Sequence, residues 1–250
     1  MIDLWFVIIA FLWSGYFVLE GFDFGVGLLA PFVSRGGAEQ RQTLQTIGPV
    51  WDGNEVWLIT AVGAMFAAFP AWYSGLFSTF YLPVVLILVG LIMRGVGLEW
   101  RGKVSNPVWC DLGILVGSAL PAFLWGAVFA DLLLDSAFAA VVGGTFTLAL
   151  CALHGAVFLA LRTDGRVRHR ARVAALTMSA AALPLAVIAL SSLGSGVGAG
   201  GQGAGLVLEL GSLPALAAMG ALAAAVALVW RRREGWAFTA TAAATVLTSV

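Results

Sequence analysis

Long apolar runs constrain this 250-residue chain more than any motif does. Seven of them, at 4–30, 47–69, 76–97, 107–133, 138–161, 173–193 and 206–230, can each cross about 30 Å of hydrocarbon at ~1.5 Å per residue. An eighth begins at 236 and is cut off at Val250, too short to span. Backbone groups in lipid must be satisfied within the segment, which leaves helices or closed barrels. Runs this uniformly apolar lack the period-two alternation of a barrel strand. The expected fold is therefore an all-α integral membrane bundle of seven complete spans and a truncated eighth, forming one transmembrane domain over 1–250.

Composition agrees. Only 10% of residues are charged and 61% are apolar, with a mean hydropathy of +0.98, so there is too little polar side chain to clothe a water-soluble globule. The net charge is zero, which gives no reason to expect a nucleic-acid partner, whose phosphate backbone demands a basic face. Cys110 and Cys151 both lie in apolar runs without a CxxC pattern and read as small buried thiols. The first run lacks a basic leader and contains Glu20 and Asp23, so it reads as a retained span rather than a signal peptide.

The 13 basic residues are distributed asymmetrically. Arg35 and Arg41 separate the first two runs; Arg94, Arg101 and Lys103 flank the third-to-fourth turn. Arg162, Arg166, Arg168, Arg170 and Arg172 follow the fifth run, and Arg231, Arg232 and Arg233 follow the seventh. Alternate connections hold none. By the positive-inside rule the basic loops face the cytoplasm and the N-terminus lies outside. The arginine-rich loop after the fifth run reads as a topology determinant with some affinity for anionic lipid. The GVGAGG stretch at 196–201 fits a dinucleotide-binding formula, but it follows a membrane run rather than a strand and reads as an external turn.

Carboxylates inside the apolar runs carry the chemical information. Glu20 and Asp23 are three apart and share a helix face, and Asp52 and Glu55 repeat that spacing in the second run. Asp23 lies 12 residues before Arg35 and Asp52 lies 11 after Arg41, so a hairpin of the two runs sets all four acids at a similar depth. A buried charge without a partner costs several kcal/mol, so such groups bind protons, pair with an arginine from another helix or line a wet path. Each outcome suits a proton relay. Asp52 and Glu55 have a simpler alternative, because Pro49 can open a helix whose N-terminal dipole stabilises nearby carboxylates without any function, and for Glu20 and Asp23 the alternative is a purely structural hydrogen-bonding role.

Other polar residues add candidates. Arg94 is a candidate counter-ion for the acids, with snorkelling to the interface as its alternative, and Glu99 beside it can pair locally. The ten tryptophans fit interfacial belts first and a quinone or haem pocket wall second. Of two histidines, His169 falls in the basic loop and only His154 lies in a span, so a transmembrane haem held by two histidines cannot be built from this chain.

Four motifs then occur in order: GFDFGVG at 21–27, GPVWDGNEVWLITAVGAMFAAFP at 48–70, RGVGLEWRGK at 94–103 and WCDLGILVGSALPAFLWGAVFADLL at 109–133. The series resembles subunit II of the cytochrome bd quinol:oxygen oxidoreductases. WDGNEVWLIT is its most specific element. Beyond about residue 135 the resemblance rests on helix count, the arginine-rich loop and the WAF stretch at 236–238. It implies four-helix halves at about 1–135 and 136 to the end, and a heterodimer in which subunit I carries haem b, haem d and the quinol site. It further implies that the acids matching Asp23 and Asp52 serve a cytoplasmic proton path, to which the spacing argument adds Glu20 and Glu55, that the tryptophan matching Trp57 lies near an oxygen route or a haem, and that a quinone and a small accessory membrane subunit can be bound. Glu55 stands where glutamine is common in that family. The alternative of a different class is a proton-coupled secondary transporter, in which midplane acids bind a cation and activity needs no haem.

Overall fold

The computed structural model describes the backbone of residues 1–197 and 204–249 and the side chains of 1–189 and 216–248. The external turn expected at 196–201 lies largely outside the described residues. Every regular element among them is a helix: α1 (Ile2–Val33), α2 (Gly37–Gln45), α3 (Trp51–Ala68), α4 (Pro70–Thr79), α5 (Tyr81–Trp100), α6 (Val108–Leu134), α7 (Ala137–Arg162), α8 (Gly165–Val197), α9 (Ala204–Trp230) and α10 (Glu234–Ser249).

Five of these, α1, α5, α6, α7 and the 165–189 part of α8, are long and apolar enough to cross a membrane. The described part of α9 is a shorter apolar helix, Leu216–Trp230. Large apolar side chains are exposed all round the bundle, among them Phe11, Ile59, Leu82, Ile92, Leu133 and Leu216, as expected of a protein whose outer solvent is lipid. The chain is a membrane protein.

Two helices were not visible in the apolar pattern. The polar stretch after α1 is a short helix, α2, set off by Gly36 at φ 85°, a backbone angle that favours glycine. The segment expected as one run at 76–97 is broken. Pro70 opens α4, since its ring fits the first turn of a helix and forces the preceding Phe69 out of helical geometry. A second break falls at Phe80 before Tyr81 opens α5, with Pro83 again in the first turn. The second expected run, 47–69, begins as helix only at Trp51. Hydropathy averages over such breaks because all the residues around them are apolar.

Helix α1 is the hub, packed against α3, α6, α7 and α10. Its residues 20–27 are buried without interruption. The approach to α7 is close enough to exclude side chains: a Cβ at Gly25 would lie 2.7 Å from the Gly155 Cα. On the next interface, a Cβ at Gly117 of α6 would lie 2.9 Å from the Cβ of Arg94, so the absence of a side chain there makes room for an arginine on α5. Small residues let membrane helices meet backbone to backbone where no hydrophobic drive distinguishes protein from lipid.

Candidate functional site

The polar face of α1 meets α3, α5 and α6 around one arginine. Arg94 is fully buried, with Nη2 lying 2.6 Å from Oε2 of Glu20 and 2.8 Å from Oε1 of Glu55. The contact to Glu55 is a hydrogen bond, whereas that to Glu20 is an ion pair off the N–H direction. The guanidinium lies over the ring of Phe24, 4.7 Å from its centroid, a cation–π contact that is strengthened by desolvation. Asp23, one turn from Glu20 and also fully buried, accepts a hydrogen bond from the Asn54 amide (2.8 Å).

Hydrogen bonding in this cluster is incomplete. Glu20 Oε1, Asp23 Oδ1 and the Nε and Nη1 of Arg94 are buried without a hydrogen-bond partner among the described residues. One guanidinium cannot neutralise three carboxylates, so the balance has to come from protons or water reaching the site. Glu55, whose side chain keeps 26% of its surface exposed, is the most accessible member of the cluster.

The four acids are not equivalent. The structure brings Glu20, Asp23 and Glu55 together but leaves Asp52 exposed in the first turn of α3, where among the described residues its carboxylate accepts only the neighbouring Gly53 N–H (2.9 Å). Helical geometry explains this. The buried stripe of α3 is Asn54, Leu58, Ala61 and Met65, and Asp52 stands two residues, or about 200°, from Asn54. Asn54 was overlooked in the sequence although it heads that i, i+4, i+7 stripe. Trp57 lies half-buried against α1, its ring occupying the space left by Gly15 and 5.7 Å from that of Phe11. Glu99 pairs with Lys103 and Asp111 with Arg101, each at 2.5 Å, so both are taken up locally.

Three of the basic connections meet at one end of the bundle. Arg170 of α8 pairs with Glu39 of α2 and donates to the Val33 carbonyl (2.6 Å), while Arg168 and Arg172 flank the buried Glu234 of α10 at 3.3 and 2.7 Å. The Glu39 carboxyl is held below the ordinary glutamate range, first by the backbone N–H of Arg35 and also by Arg170. A depressed value means that this tie between α2 and α8 is intact above the ordinary glutamate range and is lost as pH falls through the lower, folded value. Carboxyl carbon titration of Glu39 should show a midpoint below ~4.3, and an unshifted midpoint would remove the tie.

His154 is fully buried between α1, α7 and α10. Its Nε2 donates to the Val18 carbonyl (3.2 Å), Nδ1 lies 2.7 Å from the Thr241 hydroxyl, and the ring stacks on Phe238. Both ring nitrogens are committed, and His169 is exposed on α8. Among the described residues no group of three or more His, Cys, Asp or Glu could hold a metal. His154 therefore has no ring nitrogen left over for axial ligation of a haem.

An apolar helical bundle whose interior holds one arginine among three acids defines a helical membrane protein with a buried charged cluster. More narrowly, the chain belongs to the cytochrome bd terminal oxidase subunit II family, whose model matches residues 1–250. It is 36% identical to cytochrome bd ubiquinol oxidase subunit 2 of Bacillus subtilis, across 98% of this chain and 77% of that one. It is also 36% identical to cytochrome bd-I ubiquinol oxidase subunit 2 of Escherichia coli, across 69% of this chain, and the match spans about half (53%) of that relative. The fold is that of a chain in the bd oxidase of Geobacillus thermodenitrificans, with a TM-score of 0.80 at 17% identity, covering 99% of this chain and 82% of the other.

Proposed function

We propose that this chain is the haem-poor second subunit of a membrane-bound quinol oxidase, paired with a haem-bearing subunit I. Its task in that complex is to admit cytoplasmic protons for the reduction of oxygen to water by quinol. The observation that carries this reading is the buried cluster of Arg94, Glu20, Glu55 and Asp23, with unpaired polar atoms inside and Glu55 opening outward. Family membership supplies the reaction.

In this reading Asp52 gathers protons at the exposed end of α3, Glu55 passes them inward, and Glu20 and Asp23 hold them beside Arg94 for transfer to the partner. Arg94 keeps the acids from repelling one another, and Trp57 stands near an oxygen route or a haem edge. Haem b and haem d belong to the partner or its interface, a reading supported by His154, the histidine of the spans, having both ring nitrogens in hydrogen bonds. They supply the reduction of oxygen there. A quinone fits the apolar cavity of about 420 Å³ walled by Trp13, Phe17, Trp125 and Phe129. Helices α1, α3 and α5–α9 span the bacterial cytoplasmic membrane with the N-terminus outside, and with α10 they make two four-helix halves, about 1–135 and 136 onward. A small accessory subunit and anionic lipid complete the complex.

The direct test is Asp52→Asn in the assembled oxidase. Quinol-driven oxygen uptake should fall about tenfold or more at unchanged haem content, as expected when a proton-transfer group is removed. Unchanged turnover at unchanged haem content removes Asp52 from the path.

A further inference from the structure

Tyr16, Glu20 and Asp23 are four and three residues apart on α1, so they form one stripe, and all three are fully buried. The lower two are met by Arg94 and Asn54. At the upper end, Trp125 of α6 donates its indole N–H to the Tyr16 hydroxyl at 3.1 Å. Indole nitrogen donates and never accepts, so the direction of this bond is settled and the hydroxyl must send its own proton elsewhere. No other hydrogen bond of the Tyr16 hydroxyl occurs among the described residues. One turn along the same stripe, Glu20 Oε1 is a buried acceptor without a partner. An unmatched donor and an unmatched acceptor thus sit on successive turns of one helix face, whose Cβ atoms are ~5–6 Å apart, a separation within reach of a single bridging water.

Beyond Tyr16 the polar stripe ends. Trp13 and Trp125 meet edge to face at 5.1 Å between ring centroids, and Phe17 and Phe129 close around them. Tyr16 is therefore the last hydrogen-bonding group before an aromatic wall. The groups that face Glu20 are Arg94 from α5, Glu55 from α3, Asp23 on its own helix, and Cys151 and His154 of α7 beside Gly21.

We propose that Tyr16 is a positioning residue for Glu20. Its hydroxyl, aimed by Trp125, donates through one water to Oε1 and fixes the orientation of the carboxyl group at the closed end of the proton path. This rests on the proton-path reading above.

The test compares Tyr16→Phe, Trp125→Phe and Glu20→Gln in the membrane-assembled oxidase. Two readouts are followed: the pH profile of quinol-driven oxygen uptake, and the infrared carboxyl stretch that disappears in Glu20→Gln. In Tyr16→Phe that band should move, the midpoint of the pH profile should shift, and turnover should fall about tenfold at unchanged haem content, the range for a hydrogen bond to a charged group. Trp125→Phe should move the band in the same sense by less. A band and midpoint unmoved in Tyr16→Phe, with turnover still lost in Glu20→Gln, overturns the Tyr16 assignment and leaves the path standing. Full turnover in Glu20→Gln overturns the path, and the role of Tyr16 with it. If Tyr16→Phe does not assemble, Trp125→Phe decides by the same two readouts.

Discussion

Replacing Arg94 by Met should cost the assembled protein about 3–5 kcal/mol, the range for removing one partner of a buried ion pair. The substitution roughly keeps the volume beside Gly117 but strands Glu20 and Glu55, which share the same Nη2. The measurement is thermal unfolding of the purified complex, with haem retention as a second readout. Adding Glu20→Gln to Arg94→Met should recover a large part of the loss, because the stranded charge is then gone. Arg94→Lys should be intermediate: an ammonium keeps the charge but gives up the planar fork and the contact with Phe24. An Arg94→Met protein that melts with the native one would show that the cluster contributes nothing to holding α1, α3 and α5 together.

Gly155→Val should be nearly as damaging for a different reason. The reciprocal positions Gly25 and Gly155 bring α1 and α7 so close that a Cβ on either meets backbone of the other, and backbone cannot rotate aside as a side chain can. Overpacking typically costs ~1–3 kcal/mol, and a rigid neighbour sets this site at the upper end. Because residues 20–27 of α1 are buried against this interface, pushing the helices apart also moves Glu20 and Asp23 relative to Arg94. Turnover should therefore fall together with the melting temperature. Gly220→Ala on α9, with nothing within 4 Å of the added carbon, is the control and should leave both unchanged. Equal behaviour of the two variants would exclude close packing as the reason for glycine at 155.

Much of the architecture was written in the hydropathy and charge pattern. Apolar length makes the helices because lipid forbids an unsatisfied backbone, and the confinement of basic residues to alternate connections is reflected in the ion pairs of Arg168, Arg170 and Arg172 at one end of the bundle. The pairing of Glu20 with Asp23 on one face followed from a spacing of three. The breaks at Phe69 and Phe80 were less visible, although Pro70 and Pro83 mark both, because their flanks are as apolar as the helices they divide.

The candidate site was legible as a list of residues and not as an arrangement. Spacing put Asp52 and Glu55 on a common footing, yet only the rotation of α3 about its axis decides that Asn54 faces α1, Glu55 reaches Arg94 and Asp52 points away. That rotation is set by how Leu58, Ala61 and Met65 pack against neighbours, a contest among nearly equivalent apolar faces that one-dimensional hydropathy cannot rank. Arg94 could be named as a counter-ion from its depth, but its choice of partners, and the contact of Trp125 with Tyr16 109 residues away, exist only once α1, α3, α5 and α6 are assembled. Local chemistry made the helices; the meeting of distant polar atoms in an apolar interior belongs to the packing.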